Sequence, residues 1–131
     1  TSAAISQIQA AYNKRDAALN HYDIEGYIAS FGKNYKNVTP GTRLSQVDQR
    51  RNALIKQLQH ANKLVRHDTV KSAIVYPDGV TVTVESVTST VPDKSQTPTA
   101  RVMTVRQTHR AFWQHTKMGW RMKQERLLSS E

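Results

Sequence analysis

Residues Thr69–Thr90 read TVKSAIVYPDGVTVTVESVTST. β-branched residues crowd both sides of Pro77-Asp78-Gly79, and valine alternates with threonine from Val80 to Val84, a two-residue period that an amphipathic helix cannot sustain. Pro-Asp-Gly is a tight-turn sequence, because proline presets φ, aspartate bonds its own following backbone and glycine tolerates positive φ. The stretch therefore predicts two antiparallel strands, Thr69–Tyr76 and Val80–Thr90, closed as a hairpin.

Toward the C-terminus, Pro92–Pro98 is polar and reads as an exposed loop. A second hairpin follows, Ala100–Gln114 and Trp120–Leu127, turning at Lys117-Met118-Gly119. Toward the N-terminus the period is helical. Ile8, Ala11, Tyr12, Arg15 and Leu19 recur at three- and four-residue steps between Ser6 and Leu19. Asp23 is placed to cap a second helix with Ile24, Tyr27, Ile28 and Phe31 on one side and Gly32 as its stop. A short extended piece, Tyr35–Val38, leads to a Pro40-Gly41 turn, a capping box of Ser45 with Asp48, and a third helix running to Ala61 with Val47, Leu54 and Leu58 on its stripe. The order predicts an α+β fold in which three N-terminal helices pack on a strongly curved, mainly antiparallel sheet.

A chain of 131 residues is the size of one domain, here taken as 1–131. The absence of cysteine excludes disulfide scaffolds, thiolate metal sites and thiol nucleophiles. The net charge of +9 and pI of about 10.1 raise the question of a polyanion partner. That excess is shared almost equally between the two halves of the chain, with no basic tail, so nucleic acid is a disfavoured partner. No apolar run is long enough to span a membrane. The chain starts at Thr1 and not Met, which leaves open both a periplasmic or secreted location after removal of a leader and a cytoplasmic one.

Three passages, the helical opening IQAAYNKRDAALNHYDIEGYIASF, the strand DGVTVTVES and the closing hairpin FWQHTKMGWRMKQERL, resemble the nuclear transport factor 2-like superfamily, which includes ketosteroid isomerase and SnoaL-like cyclases. The resemblance spans nearly the whole chain. It implies a cone-shaped, cystatin-like fold, an interior pocket for a small molecule, and a homodimer formed through the outer sheet face.

Strand parity divides the candidates between the two faces. Met103, Val105, Gln107, His109, Ala111 and Trp113 share one side of their strand, with Trp120, Met122 and Gln124 on the next and Val80, Val82 and Val84 on the earlier one. The expected pocket is apolar and lined by Tyr12, Tyr27, Phe31, Gln107, His109, Trp113, Trp120 and Gln124, to hold a small hydrophobic ligand. The same residues equally well fill a core. Lys71, Arg106, Arg110, Arg121 and Lys123 fall together on the other face as a basic stripe. That face lacks aromatics for base stacking.

Acid–base chemistry of the isomerase kind needs a carboxylate inside an apolar interior. Parity puts Glu85 and Glu125 on the outer face, Asp68 before the first long strand, Asp78 and Asp93 in turns, and Asp23 and Asp48 at helix starts. Asp16, four residues beyond Tyr12, is left as the partner of His109. The five histidines have no tight ligand spacing, so neither a metal nor another cofactor is expected. The sequence thus favours a non-enzymatic small-molecule-binding or interaction module. The competing readings are a SnoaL-like lyase or isomerase using His109 and Asp16, and a protein- or polyanion-binding scaffold working through the basic face.

Overall fold

A computed structural model describes residues 2–39, 47–59, 61–92, 99 and 101–131. The expected Pro40-Gly41 turn, Ser45 cap and most of the Pro92–Pro98 loop lie outside the described residues. The elements are α1 (Ser2–Asn20), α2 (Ile24–Ile28), β1 (Phe31–Asn37), α3 (Val47–Gln59), β2 (Ala61–Tyr76), β3 (Gly79–Pro92), β4 (Met103–Thr116) and β5 (Gly119–Ser130). They build an α+β fold with one five-stranded sheet in the order β1-β5-β4-β3-β2, antiparallel throughout except for the parallel β1–β5 pair.

Both hairpins turn where the sequence places them: Tyr76 pairs with Gly79, and Thr116 pairs with Gly119, whose φ of 97° needs glycine. Asp23 caps α2, its Oδ1 accepting from the Gly26 amide at 2.9 Å. Two boundaries differ from expectation. Phe31 opens β1 and does not close α2, because β1 pairs beside Met122 from that residue on. β2 begins eight residues before Thr69. Lys63, Arg66, His67 and Asp68 obscure its alternation, yet Leu64 and Asp68 are buried while Val65 and His67 are exposed.

The early start of β2 follows its pairing with β3, from Ala61 opposite Pro92, and the stretch around Asp68 is further held by α1. β2 is the sheet edge, where backbone groups lack a neighbouring strand. The helix supplies the partners: the amides of Arg66, Asp68 and Val70 donate to Asn20 Oδ1, Asp16 Oδ2 and Gln9 Oε1 at 2.9, 2.8 and 2.7 Å, and Gln9 Nε2 donates to the Asp68 carbonyl at 2.8 Å. Three polar side chains on one helix face stand in for a sixth strand.

The β4–β5 pairing steps from Trp113↔Met122 to Phe112↔Gln124, leaving Lys123 as an extra residue. Such a bulge reverses the facing of everything beyond it. Met122 and Glu125 are therefore both buried, while Lys123 and Gln124 are exposed. The aromatic centre of the core is close-packed: Trp113 and Tyr12 meet edge-to-face with centroids 5.0 Å apart, and Trp113 Nε1 donates to Tyr12 Oη at 3.2 Å.

Candidate functional site

Between the helices and the sheet lies a group of buried polar side chains contributed by five elements. α1 brings Arg15 and Asp16, β2 brings Asp68, β3 brings Ser86, β4 brings His109 and β5 brings Glu125, and all six are buried. Arg66 of β2 and Arg50 of α3 reach the same region with partial exposure. Register explains the assembly: Asp68 pairs with Ser86, Ser86 with Gln107, Val84 with His109, and Ala111 with Glu125, so these side chains share the inward face.

Glu125 was expected outside and is inside, carried there by the Lys123 bulge. Asp68 was expected ahead of the strand and sits in its middle, fully buried. Glu85 is on the outer face, 3.8 Å from Arg106. The interior thus holds two strand carboxylates besides Asp16.

These charges are mutually organised. Arg66 Nε lies 3.2 Å from Asp68 Oδ2, and the Ser86 hydroxyl donates to Asp68 Oδ1. Burial opposes the charge on Asp68, but Arg66 overrides it and holds the carboxyl well below the usual range. Asp16 faces Asp68, and burial together with that negative neighbour pushes it up to about 8, so Asp16 carries its proton at neutral pH. Tyr35 Oη donates to Glu125 Oε1 at 2.8 Å, and Arg50 Nη2 stands 3.8 Å from the same oxygen. Burial works against ionisation of Glu125, yet Arg15 and Arg50 keep its pKa below the ordinary value. His109 is depressed by burial and is a neutral imidazole.

Arg15 is arranged differently. It is 1% exposed, and its guanidinium carbon lies 4.6, 5.2 and 5.4 Å from the ring centroids of Tyr27, Tyr12 and Phe31. Desolvation pulls its pKa down, but Tyr27, Asp68 and Glu125 more than offset this and it stays charged. Arg15 Nε, Nη1 and Nη2, Asp16 Oδ1, and both ring nitrogens of His109 have no hydrogen-bond partner among the described residues.

A cavity of about 510 Å³ opens between α3 and the inner face of β2–β4. Leu19, Tyr27, Arg50, Leu54, Leu64, Arg66, Val105 and Gln107 are on its wall. Arg66 and Gln107 are each two residues before a buried polar group, Asp68 and His109, on the same strand face, so the cavity and the polar group share the inner face of β2 and β4, although none of the six buried polar residues is on the cavity wall itself.

Of the residues anticipated for a pocket, Tyr27 and Gln107 line this cavity. Tyr12, Phe31 and Trp113 are packed in the core, and His109 is buried beyond Gln107. Trp120 is half-buried at the other end of the sheet, donating to Gln7 Oε1 at 2.8 Å, and Gln124 is exposed. Lys71, Arg106, Arg110 and Lys123 are exposed, and Arg121 is half-buried with Nη1 donating to the Trp120 carbonyl. His109 and Asp16 are both interior, and their side chains do not hydrogen-bond to each other. The α3 wall of the cavity and Arg50, Arg66 and Asp68 were not foreseen. A sequence signal for Arg15 exists: it occupies an apolar helix stripe between Tyr12 and Leu19.

No protein-family model matches the sequence, and no curated protein matches it. Solved structures do. A conserved protein from Planctomyces limnophilus superposes with a TM-score of 0.82 at 11% identity, covering 98% of each chain. A ketosteroid isomerase-like protein from Erwinia carotovora atroseptica gives 0.69 at 15% identity over 95% of this chain and 96% of its own. A nuclear transport factor 2-like protein with a cystatin-like fold from Novosphingobium aromaticivorans gives 0.72 at 10% identity over 96% and 81%. The fold is that of the nuclear transport factor 2-like proteins, in agreement with the resemblance carried by the sequence. Among the described residues, no helix is long and apolar enough to cross a membrane.

Proposed function

We propose that the chain binds a small organic molecule whose apolar body occupies the cavity beneath α3 and whose polar end reaches the buried group around Arg15, Asp16 and His109. The observation that carries this reading is the set of six buried polar atoms on those three residues with no hydrogen-bond partner among the described residues, together with a cavity of about 510 Å³ whose wall includes Tyr27, the residue whose ring meets Arg15. Each such atom costs roughly 1–3 kcal/mol when left unmatched. A ligand that supplies the missing donors and acceptors recovers that energy.

The reading is tested by thermal melts against a panel of aromatic and alicyclic acids, alcohols and amides. A binder at a hundredfold its Kd adds about 2.7 kcal/mol, a shift of several degrees. Ala53 is exposed on α3 and borders the cavity. Ala53→Trp should fill the mouth and abolish the shift with little change in basal melting temperature. A panel without any stabilising compound, or a shift that survives Ala53→Trp, removes the reading.

A second reading, catalysis of the lyase or isomerase kind, is favoured by one observation. Asp16 is protonated and His109 neutral in the same interior, so an acid and a base coexist at neutral pH. The ketosteroid isomerase-like neighbour from Erwinia supports the same direction by its fold. Conversion of a bound compound, followed by mass spectrometry, should cease in His109→Ala; full turnover in that variant excludes His109 as the base.

A further inference from the structure

Resting on the ligand-binding reading above, we propose that the ligand is a monocarboxylate whose single negative charge is received by Arg15. Three features of the interior lead there.

The first is charge balance. The cations facing the interior are Arg15 of α1, Arg50 of α3 and Arg66 of β2. The ionised acids are Asp68 of β2 and Glu125 of β5. Asp16 of α1 holds a proton, His109 of β4 is neutral, and Tyr27 of α2 and Tyr35 of β1 contribute phenols. One positive charge is left over.

The second is pairing. Arg66 sits against Asp68 and Arg50 against Glu125, whereas Arg15 has no ion pair among the described residues. A buried charge without a direct ion pair is costly: Asp68 and Glu125 act on Arg15 from a distance and are shared with Arg66 and Arg50, and three aromatic faces compensate it only in part. A carboxylate offers two acceptor oxygens that match a guanidinium fork.

The third is access. The Tyr27 ring, 4.6 Å from the guanidinium, is also part of the cavity wall. Arg15 itself is not on that wall and borders a smaller recess with Ala11 and Trp120; in the proposed pose the ligand body lies along Leu54, Leu64 and Val105 and its head passes Tyr27 to reach the guanidinium. A dicarboxylate would leave the second charge uncompensated, and a cationic head would meet Arg15 directly.

The probes are 2-naphthoate and its neutral isostere 2-naphthamide, measured by calorimetry on the full chain. The acid should bind at least about tenfold more tightly at pH 7, the scale of a charge-assisted pair withdrawn from water. Arg15→Met should abolish that preference while the amide still binds, and Arg15→Lys should restore part of it. A measurement on the unaltered chain is independent of how the variants fold: the preference should shrink as pH rises past 8 and Asp16 becomes negative. If acid and amide bind equally, the carboxylate inference falls and the ligand reading stands. If neither binds, both fall. A preference that persists in a folded Arg15→Met also overturns the assignment.

Discussion

The proton on Asp16 has a thermodynamic consequence. Its pKa is raised by burial and by the facing Asp68, from the ordinary carboxylate range to about 8. A group that holds its proton more tightly when folded stabilises the fold fully below its unfolded pKa, near 3.9, and loses that contribution as pH rises toward the folded value. Asp16→Asn keeps an oxygen for the Asp68 amide and cannot ionise. The stability difference between the native chain and this variant should therefore move against the native chain from pH 4 to pH 8, by up to about 1.4 kcal/mol per pH unit. Denaturant titrations at several pH values read it directly, and parallel profiles for the two proteins would show that Asp16 is ionised throughout. Asp16 was legible as interior from its four-residue step beyond Tyr12. Its protonation was not, since that depends on Asp68, a residue more than fifty positions away.

Elements were legible where the signal was local. Pro77-Asp78-Gly79 and Lys117-Met118-Gly119 fix their turns through backbone preferences of the residues themselves, and the Val-Thr alternation of β3 matches its buried and half-buried positions. The failures have a common origin in partners distant along the chain. β2 extends to Ala61 because it pairs with β3 as far as Pro92, while Gln9, Asp16 and Asn20 of α1 satisfy its free edge from Arg66 to Val70, and nothing within residues 61–68 announces either partner. Glu125 is interior because Lys123 is an extra residue opposite β4, and a bulge without glycine has no signature in one sequence. A single unpaired residue thus converted an outer-face glutamate into a buried one. Parity reasoning holds on β3 and β4, where the pairing between the two strands is uninterrupted from Val80↔Trp113 to Thr90↔Met103.

For the molecule as a whole, the interior charges act as a network that ties the helices to the sheet. Glu125 joins β5 to β1 through Tyr35, to α3 through Arg50, and electrostatically to α1 through Arg15. Glu85 is the natural control, a carboxylate of similar distance from its arginine but at the surface, with side-chain exposures of 42% and 59% for Glu85 and Arg106. Surface pairs of that kind contribute at most about 1 kcal/mol, whereas removing one charge from a buried pair costs about 3 kcal/mol or more because the other is left uncompensated. Glu125→Gln retains an acceptor for Tyr35 and loses only the charge. It should destabilise the chain by about 3 kcal/mol at pH 7, with Glu85→Gln within about 1 kcal/mol of the native chain. Because the folded pKa of Glu125 is depressed, its contribution is complete above the unfolded value near 4.3 and disappears as pH falls through the folded one. The gap between the native chain and Glu125→Gln should therefore close in acid, in the direction opposite to the Asp16 effect. Equal stability of the native chain and Glu125→Gln at pH 7 would mean that Arg15 and Arg50 do not depend on this carboxylate, and the leftover positive charge assigned to Arg15 would have to be recounted.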